Sequence, residues 1–395
     1  MESKKTFIKP ADRIADIKPY FFATLNLRIK ELKAKHIDVI RLDMGSPDLP
    51  PADFIVDALV KSARRSDTHG YAEAGGIPAY RTAAAAYYQR RFGVTFDPQK
   101  EVLGLIGSKE GIFNLCQSIL NPGDICLIPD PAYPVYEAGA KIAGADVYRV
   151  PLLEKNDFLP DLDAIPADVI KKTKLLFINY PNNPTGAPAP LSFFEKVVKF
   201  GQDNNILIAH DAPYVDTCFD GYAAPSLMQV PDARNVAIEF NSLAKSYNMG
   251  GWRLGIAVGN AEVLQYLYTY KSQTDNSHFT PIMEAGIIAL TGDQDWLEER
   301  NGIYQQRRNI VLKGLRQAGF SAKTPPATIY VWAHLPDGIN DSMTFCSRML
   351  EETGVSTTPG AIYGVYGEGY IRISLGTATP RVDEAMGRIV KWLSK

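Results

Sequence analysis

The sequence predicts an α/β fold: a mainly parallel seven-stranded sheet sandwiched by helices, with a smaller α+β domain. Three observations carry this. Seven short apolar, β-branched runs recur between residues 102 and 258, a pattern that suits strands buried on both faces. Stretches of helical periodicity separate them, as crossover connections require. Near residue 290 the composition changes to a long amphipathic helix followed by strand, helix, strand and helix.

In chain order, the first 45 residues end in VIRLDMGSPD, a strand running into a Gly/Pro turn that joins the smaller domain. The seven runs follow: VLGLI at 102–106, ICLI at 125–128, ADVYRV at 145–150, KLLFINY at 174–180, NILIAH at 205–210, NVAIEF at 235–240 and GIAV at 255–258. SFFEKVVKFGQDN, after residue 191, reads as one of the crossover helices. WLEERNGIYQQRRNIVLKGLRQAG reads as the long amphipathic helix, TIYVWAHL and EGYIRISLG as strands, and a last helix begins near Pro380. The expected division is a large domain over 46–289 and a small α+β domain built from 1–45 and 290–395, with an N-terminal arm.

Composition narrows the function. Lys plus Arg number 42 and Asp plus Glu 44, for a net charge of −2, which offers no bulk attraction for nucleic acid or anionic lipid. The four cysteines are scattered with no C-x-x-C pair, against a disulfide framework, a metal site or a dithiol centre, and in favour of the cytoplasm. The opening MESKKTFIKPADRIADIKPY lacks a signal peptide's apolar region, and no apolar run approaches the roughly 18 residues of a membrane span.

Four candidate sites fall at the carboxyl ends of expected strands, where open α/β sheets bind ligands. In LIGSKEG, Ser108 is placed to cap a helix whose N-terminus can hold a phosphate; an ordinary capped helix is the plainer reading, and the P-loop spacing of an NTPase is missing. NYPNNPTG is either a turn or a turn that aims Asn183 at a ligand oxygen. Asp211 in HDAPY ends a buried strand and needs a structural cation or a protonated ring nitrogen as partner. In NSLAKSYNMGGWRLG, Ser242 and Lys245 follow a strand, with Arg253 eight residues on. Ser-x-x-K also occurs in penicillin-recognising serine enzymes, but their S-D-N and K-T-G partners are absent here, where only TDN and KTP stand.

Together these are the parts that hold one cofactor, pyridoxal 5′-phosphate: a covalent lysine, phosphate donors, an acid for a pyridinium nitrogen and neutral donors for a phenolic oxygen. The combination Y-x-x-x-G, NNPTG, D-x-x-Y, S-x-x-K, an arginine eight residues later and Y-x-R-x-S resembles the fold-type I, class I/II aminotransferases over nearly the whole chain. The resemblance implies that Lys245 is the Schiff-base lysine, which also shuttles the proton between Cα and the cofactor C4′. It implies that Asp211 keeps the pyridine nitrogen protonated and that Asn183 and Tyr214 bond the phenolic oxygen. Tyr133 would stack on the ring. Ser108, the Lys109 backbone N–H, Ser242 and Arg253 would hold the phosphate, with Ala244 in place of a hydroxyl that many relatives carry. Tyr71 in HGYAEAGG would reach the phosphate of a neighbouring subunit, making a homodimer with shared sites. Arg372 in YIRIS would take the substrate carboxylate as a fork, Gly45 would lend a backbone N–H, Asn183 would also touch substrate, and Tyr20 would line the entrance.

The implied substrates are small amino acids and 2-oxo acids, with glutamate and 2-oxoglutarate as one pair. GSKEG, PDPAYPVY, FLPDLDAIP, FINYPNNPTGA and YGEGYIRISL resemble LL-diaminopimelate aminotransferases; DTHGY, PSLMQVPDARNVAIEF and AKSYNM resemble glutamate-pyruvate (alanine) aminotransferases at least as well. Aspartate with oxaloacetate is a further alternative. Residues 271–281, KSQTDNSHFTP, are a candidate specificity lining. Carbon–sulfur lyases and ring-forming eliminases use the same scaffold. A regulator with an aminotransferase-like domain would need a DNA-binding segment, for which the roughly 20 residues ahead of the matched region are too few.

Overall fold

The computed structural model describes residues 8–15 and 21–394. Its strands are β1 (Ile40–Arg41), β2 (Val102–Leu105), β3 (Ile125–Asp130), β4 (Asp146–Pro151), β5 (Thr173–Asn179), β6 (Leu207–Asp211), β7 (Ala237–Ser242), β8 (Gly255–Gly259), β9 (Tyr330–His334), β10 (Val355–Ser356), β11 (Thr358–Pro359) and β12 (Tyr370–Ser374). Seven of them, in the order β2-β8-β7-β6-β5-β3-β4, form the expected central sheet. Only β8 runs against its neighbours β2 and β7; the pairs β3–β4, β3–β5, β5–β6 and β6–β7 are parallel.

The apolar runs become strands because both faces of this sheet are covered. Leu176, Ile178, Ile208 and Val258 belong to one core cluster, and Leu175, Phe177, Ala209 and Phe240 to another. That alternation along single strands is the period-two signature of a sheet with two packed faces. The expected strands at 205 and 235 begin later, at Leu207 and Ala237. Ahead of β7 the chain makes a helical turn over Ala233–Val236, entered from Asp232 in the left-handed region at φ 61°.

The helix Leu191–Asn204 crosses over between the parallel strands β5 and β6 as anticipated, and the long helix Asp295–Gln317 and the last helix Thr379–Leu393 form where expected. The last two pack on each other over Val311, Leu315, Val382, Met386 and Ile389. An antiparallel sheet β11-β12-β9 shares that core, with Arg372 paired to Trp332 and Ser374 to Tyr330. The N-terminal strand β1 pairs in parallel with β10, and the Leu42 carbonyl accepts from the Ser374 N–H at 2.7 Å. That tie sets Asp43, Met44 and Gly45 beside the carboxyl ends of the central strands.

Candidate active site

A cavity of about 370 Å³ opens where β5, β6 and β7 end, a volume in the range of small-molecule sites. Lys245, Asp211, Tyr214, Asn183, Ser108, Lys109, Tyr133, Ser242, Arg253, Arg372 and Gly45 all line it. Eleven of the thirteen residues singled out from sequence are thus brought together. Tyr71 lies outside it and is 95% exposed. Tyr20 falls outside the described residues.

The anion end is built on backbone. The helix Ser108–Ile119 starts at Ser108, and its cap is Gly107 at φ 75° with no side-chain bond. Ser108 therefore does not cap the helix as its position suggests. A residue in the left-handed region fills that place, which glycine adopts without strain. The Ser108 hydroxyl is not spent on a cap, and the helix start points its N–H groups toward the cavity that Ser108 and Lys109 line. A Cβ on Gly107 would come 2.5 Å from Arg253 Nη2, and a Cβ on Gly255 would come 2.8 Å from Ser108 N. Gly107 thus lets the guanidinium close on the helix start, and Gly255 lets β8 pass against the backbone of Gly107 and Ser108. The Ser242 hydroxyl accepts from Ala244 N at 3.3 Å and keeps its proton to donate. His278 Nε2 sits 2.7 Å from the Arg253 carbonyl, so residues 271–281 brace the arginine's backbone and do not line this chain's cavity.

Asp211 is held from below. Tyr136 donates to its Oδ2 at 2.7 Å, and Asn179 Nδ2 donates to its carbonyl at 2.6 Å. Its Oδ1 is buried and makes no hydrogen bond. Burial pushes the Asp211 carboxyl up to about 6, against the pull of the Tyr136 hydrogen bond, His210 and Lys245. A buried carboxylate oxygen without a donor is costly, and a protonated ring nitrogen is the kind of partner that would satisfy it.

Lys245 follows β7 in a short helical turn, and its Nζ donates to the Gly45 carbonyl. Burial lowers the amine's pKa from the ordinary lysine value, Arg372 and Arg253 lower it further, and Tyr330 and Asp211 oppose them. Two cations near a desolvated amine favour its neutral, nucleophilic form. The Tyr214 hydroxyl lies 3.0 Å from that of Tyr330, and burial holds Tyr214 protonated well above the usual phenol range.

Arg372 is 3% exposed. Its Nη1 donates to Asn183 Oδ1 at 3.0 Å and its Nη2 to the Asp43 carbonyl at 2.9 Å, while its buried Nε–H has no partner. The Asn183 backbone is fixed in turn by Asn179 Oδ1 at 2.7 Å.

Lining residues not read from sequence include Asn179, Tyr330, Tyr363, Phe22 and Asn26. Tyr136 also went unread; it stacks on Phe177 at 4.8 Å beneath Asp211. The single signal for Tyr136 was its place three residues after Tyr133, at the start of the helix Val135–Ile142.

A family model described as Aminotransferase class I and II matches residues 37–389. The chain is 47% identical over 388 residues to an LL-diaminopimelate aminotransferase of Moorella thermoacetica, covering 98% of this chain and 99% of that one. It is 48% identical over 379 residues to one from Desulforudis audaxviator, covering 96% of each. Among solved structures, substrate-bound BacF from Bacillus subtilis superposes with a TM-score of 0.94 at 35% identity over 98% of both chains. A Thermus thermophilus aspartate aminotransferase single mutant gives 0.90 at 28% identity, covering 97% of this chain and 99% of that one.

Proposed function

The chain belongs to the class I and II aminotransferases, a pyridoxal-phosphate-dependent family, and on that premise we propose the roles of its residues, its substrate pair and its assembly. The observation that carries the reading is the buried, unbonded Asp211 Oδ1 in the same cavity as the desolvated Lys245 amine. Pyridoxal phosphate fits these residues. Asp211 would hold the proton on its ring nitrogen, Asn183 and Tyr214 would bond its phenolic oxygen, and Tyr133 would face its ring. Ser108, the Lys109 N–H, Ser242 and Arg253 would hold its phosphate, with charge-assisted bonds from the guanidinium. When bound, the cofactor supplies an electron sink that makes the α-proton of an amino acid removable.

The chain's own groups do the rest. Lys245 would hold the cofactor through its amine and, when that amine is free, would take the α-proton in its neutral form. Arg372 receives the substrate carboxylate through its free Nε–H and the remaining Nη protons, with Asn183 beside it. Gly45 closes over the substrate from the N-terminal segment and helps to exclude water. The exchange runs as two half-reactions at one site, the donor leaving as its 2-oxo acid before the acceptor enters.

The substrate pair we assign is LL-diaminopimelate with 2-oxoglutarate, supported by relatives of that name at 44–48% identity over nearly the full chain. Alanine with pyruvate is the second reading, favoured by the segments DTHGY and AKSYNM; aspartate with oxaloacetate is the third. The assembly is a homodimer in which Tyr71, 95% exposed on its own chain, completes the partner's phosphate site. The working division remains a large domain over 46–289 and a small one from 1–45 and 290–395. Four unpaired cysteines suit a cytoplasmic enzyme. Among the described residues no helix is long and apolar enough to cross a membrane, and no group of His, Cys, Asp or Glu could hold a metal.

The test is kcat/KM for LL-diaminopimelate, alanine and aspartate, each with 2-oxoglutarate. A preference of at least about a hundredfold for LL-diaminopimelate is expected, since polar recognition of a distal group allows up to about 10⁴–10⁵. A larger value for alanine or aspartate would replace the assignment. With an S-substituted cysteine as substrate, release of thiol, ammonia and pyruvate without any glutamate formed would point to a lyase.

A further inference from the structure

The carboxylate-binding arginine sits in an unusual electrostatic setting. Arg372 is buried, yet among the described residues no carboxylate pairs with it; Asp43 offers its carbonyl, while the Asp43 carboxylate is taken by Arg41 at 3.1 and 2.5 Å. A buried cation without an anion is costly unless something else stabilises it. Here the guanidinium carbon lies 4.1 Å from the ring centroid of Tyr330 and 5.1 Å from that of Tyr363, both within cation–π range.

Tyr330 is the closer ring, and its own placement is fixed at the hydroxyl. That group reaches the Tyr214 hydroxyl at 3.0 Å and the Gly45 carbonyl at 3.3 Å. One side chain on β9 thus touches the strand-end tyrosine of β6, the N-terminal segment and, through its face, the arginine of β12. A carboxylate in this place would also stabilise Arg372, but it would compete with every substrate carboxylate that arrives. A ring face stabilises the charge and leaves it free to pair.

We propose that Tyr330 is a positioning residue for the substrate carboxylate, its ring stabilising the buried Arg372 guanidinium without neutralising it. The inference rests on Arg372 as the carboxylate partner. It goes beyond that reading by assigning carboxylate affinity to a residue that touches the arginine from the side.

The test compares Tyr330→Leu, Tyr330→Phe and Arg372→Lys in the holoenzyme, with binding of succinate as an unreactive carboxylate probe, measured by calorimetry on both holoenzyme and apoprotein. Tyr330→Leu should raise KM for the amino donor and for 2-oxoglutarate by a common factor, roughly threefold to thirtyfold, the span of a desolvated cation–π contact. Succinate affinity should fall by the same factor, and kcat should change less. Tyr330→Phe keeps the ring and should recover most of the loss. If Tyr330→Leu leaves both KM values and succinate affinity within about 1.5-fold of native while Arg372→Lys weakens both, the inference fails and the carboxylate reading stands. If Tyr330→Phe is as impaired as Tyr330→Leu, the ring is not the agent and the inference also fails. If Arg372→Lys changes neither, the carboxylate reading falls and the inference with it. Should the leucine variant not fold, the phenylalanine variant still decides, since a KM rise of about tenfold from loss of the hydroxyl alone contradicts a stacking role.

Discussion

Tyr136→Phe tests how the site keeps Asp211 charged. The substitution removes one hydroxyl and keeps the ring that stacks on Phe177 at 4.8 Å, so the packing beneath the sheet stays filled. What is lost is the 2.7 Å donor to Asp211 Oδ2. Burial already pushes that carboxyl up to about 6, with the Tyr136 bond the first of the groups that hold it down. A hydrogen bond to a charged group is worth about 1.5–3 kcal/mol, and one pH unit corresponds to about 1.4 kcal/mol, so the pKa should rise by about 1–2 units. Asp211 must be anionic to hold a ring-nitrogen proton. Cofactor affinity of the apoprotein is therefore lost as pH falls through the Asp211 pKa, near 6 in the native chain and roughly 7 to 8 in the variant. The assay is equilibrium binding of pyridoxal phosphate to apoprotein across pH 5–9, with the Asp211-dependent limb identified by its absence in Asp211→Asn. A midpoint within about 0.3 unit of native would refute the hydrogen bond as the control on Asp211.

Three further outcomes follow. Because the folded Asp211 pKa, about 6, lies above the ordinary 3.8, the folded chain binds more protons than the unfolded one between those values, and its stability falls as pH rises through that window. Apoprotein of Asp211→Asn should thus exceed the native apoprotein by up to about 3 kcal/mol above pH 6 in denaturant unfolding, and equal stabilities there would contradict the buried charge. Lys245→Ala should lose at least about a thousandfold in amino transfer, since both covalent anchoring and proton transfer go with the amine; steady-state rates with an intact fold by circular dichroism check it. Mixing inactive Tyr71→Ala and Lys245→Ala proteins should restore activity through hybrid dimers that contain one native site, and no recovery after subunit exchange is shown would contradict shared sites.

The fold was legible where physics repeats a pattern along the chain. Strands such as Leu175–Ile178 and Ile208–Ala209 are buried on both faces, so their apolar runs are unbroken and easy to read. The start of β7 was harder, because the helical turn Ala233–Val236 takes up Asn235 and Val236, the first two residues of the run NVAIEF. The cofactor-type residues were legible because their chemistry comes in spaced motifs at strand ends. The Ser108 cap was misread because a serine before an apolar stretch is the common cap, while here Gly107, with φ 75° and no room for a Cβ beside Arg253, takes the cap position. Tyr136 and Tyr330 went unread for another reason. Each looks like ordinary core in sequence, one in a helix and one in the alternating strand TIYVWAHL, and their partners lie 75 and 116 residues away. Residues 271–281 were read as substrate lining, but within this chain they bury Lys271 with Asp275 at 2.7 Å and brace Arg253 through His278.

The most direct measurement of the central claim is a single half-reaction: holoenzyme mixed with glutamate or LL-diaminopimelate in the absence of any 2-oxo acceptor, with the released 2-oxo acid counted against active sites. The account predicts about one equivalent of 2-oxo acid per Lys245, a matching loss of the cofactor's aldehyde-form absorption, and neither signal in Lys245→Ala. Absence of 2-oxo acid from every amino donor, or an unchanged yield in Lys245→Ala, would contradict it.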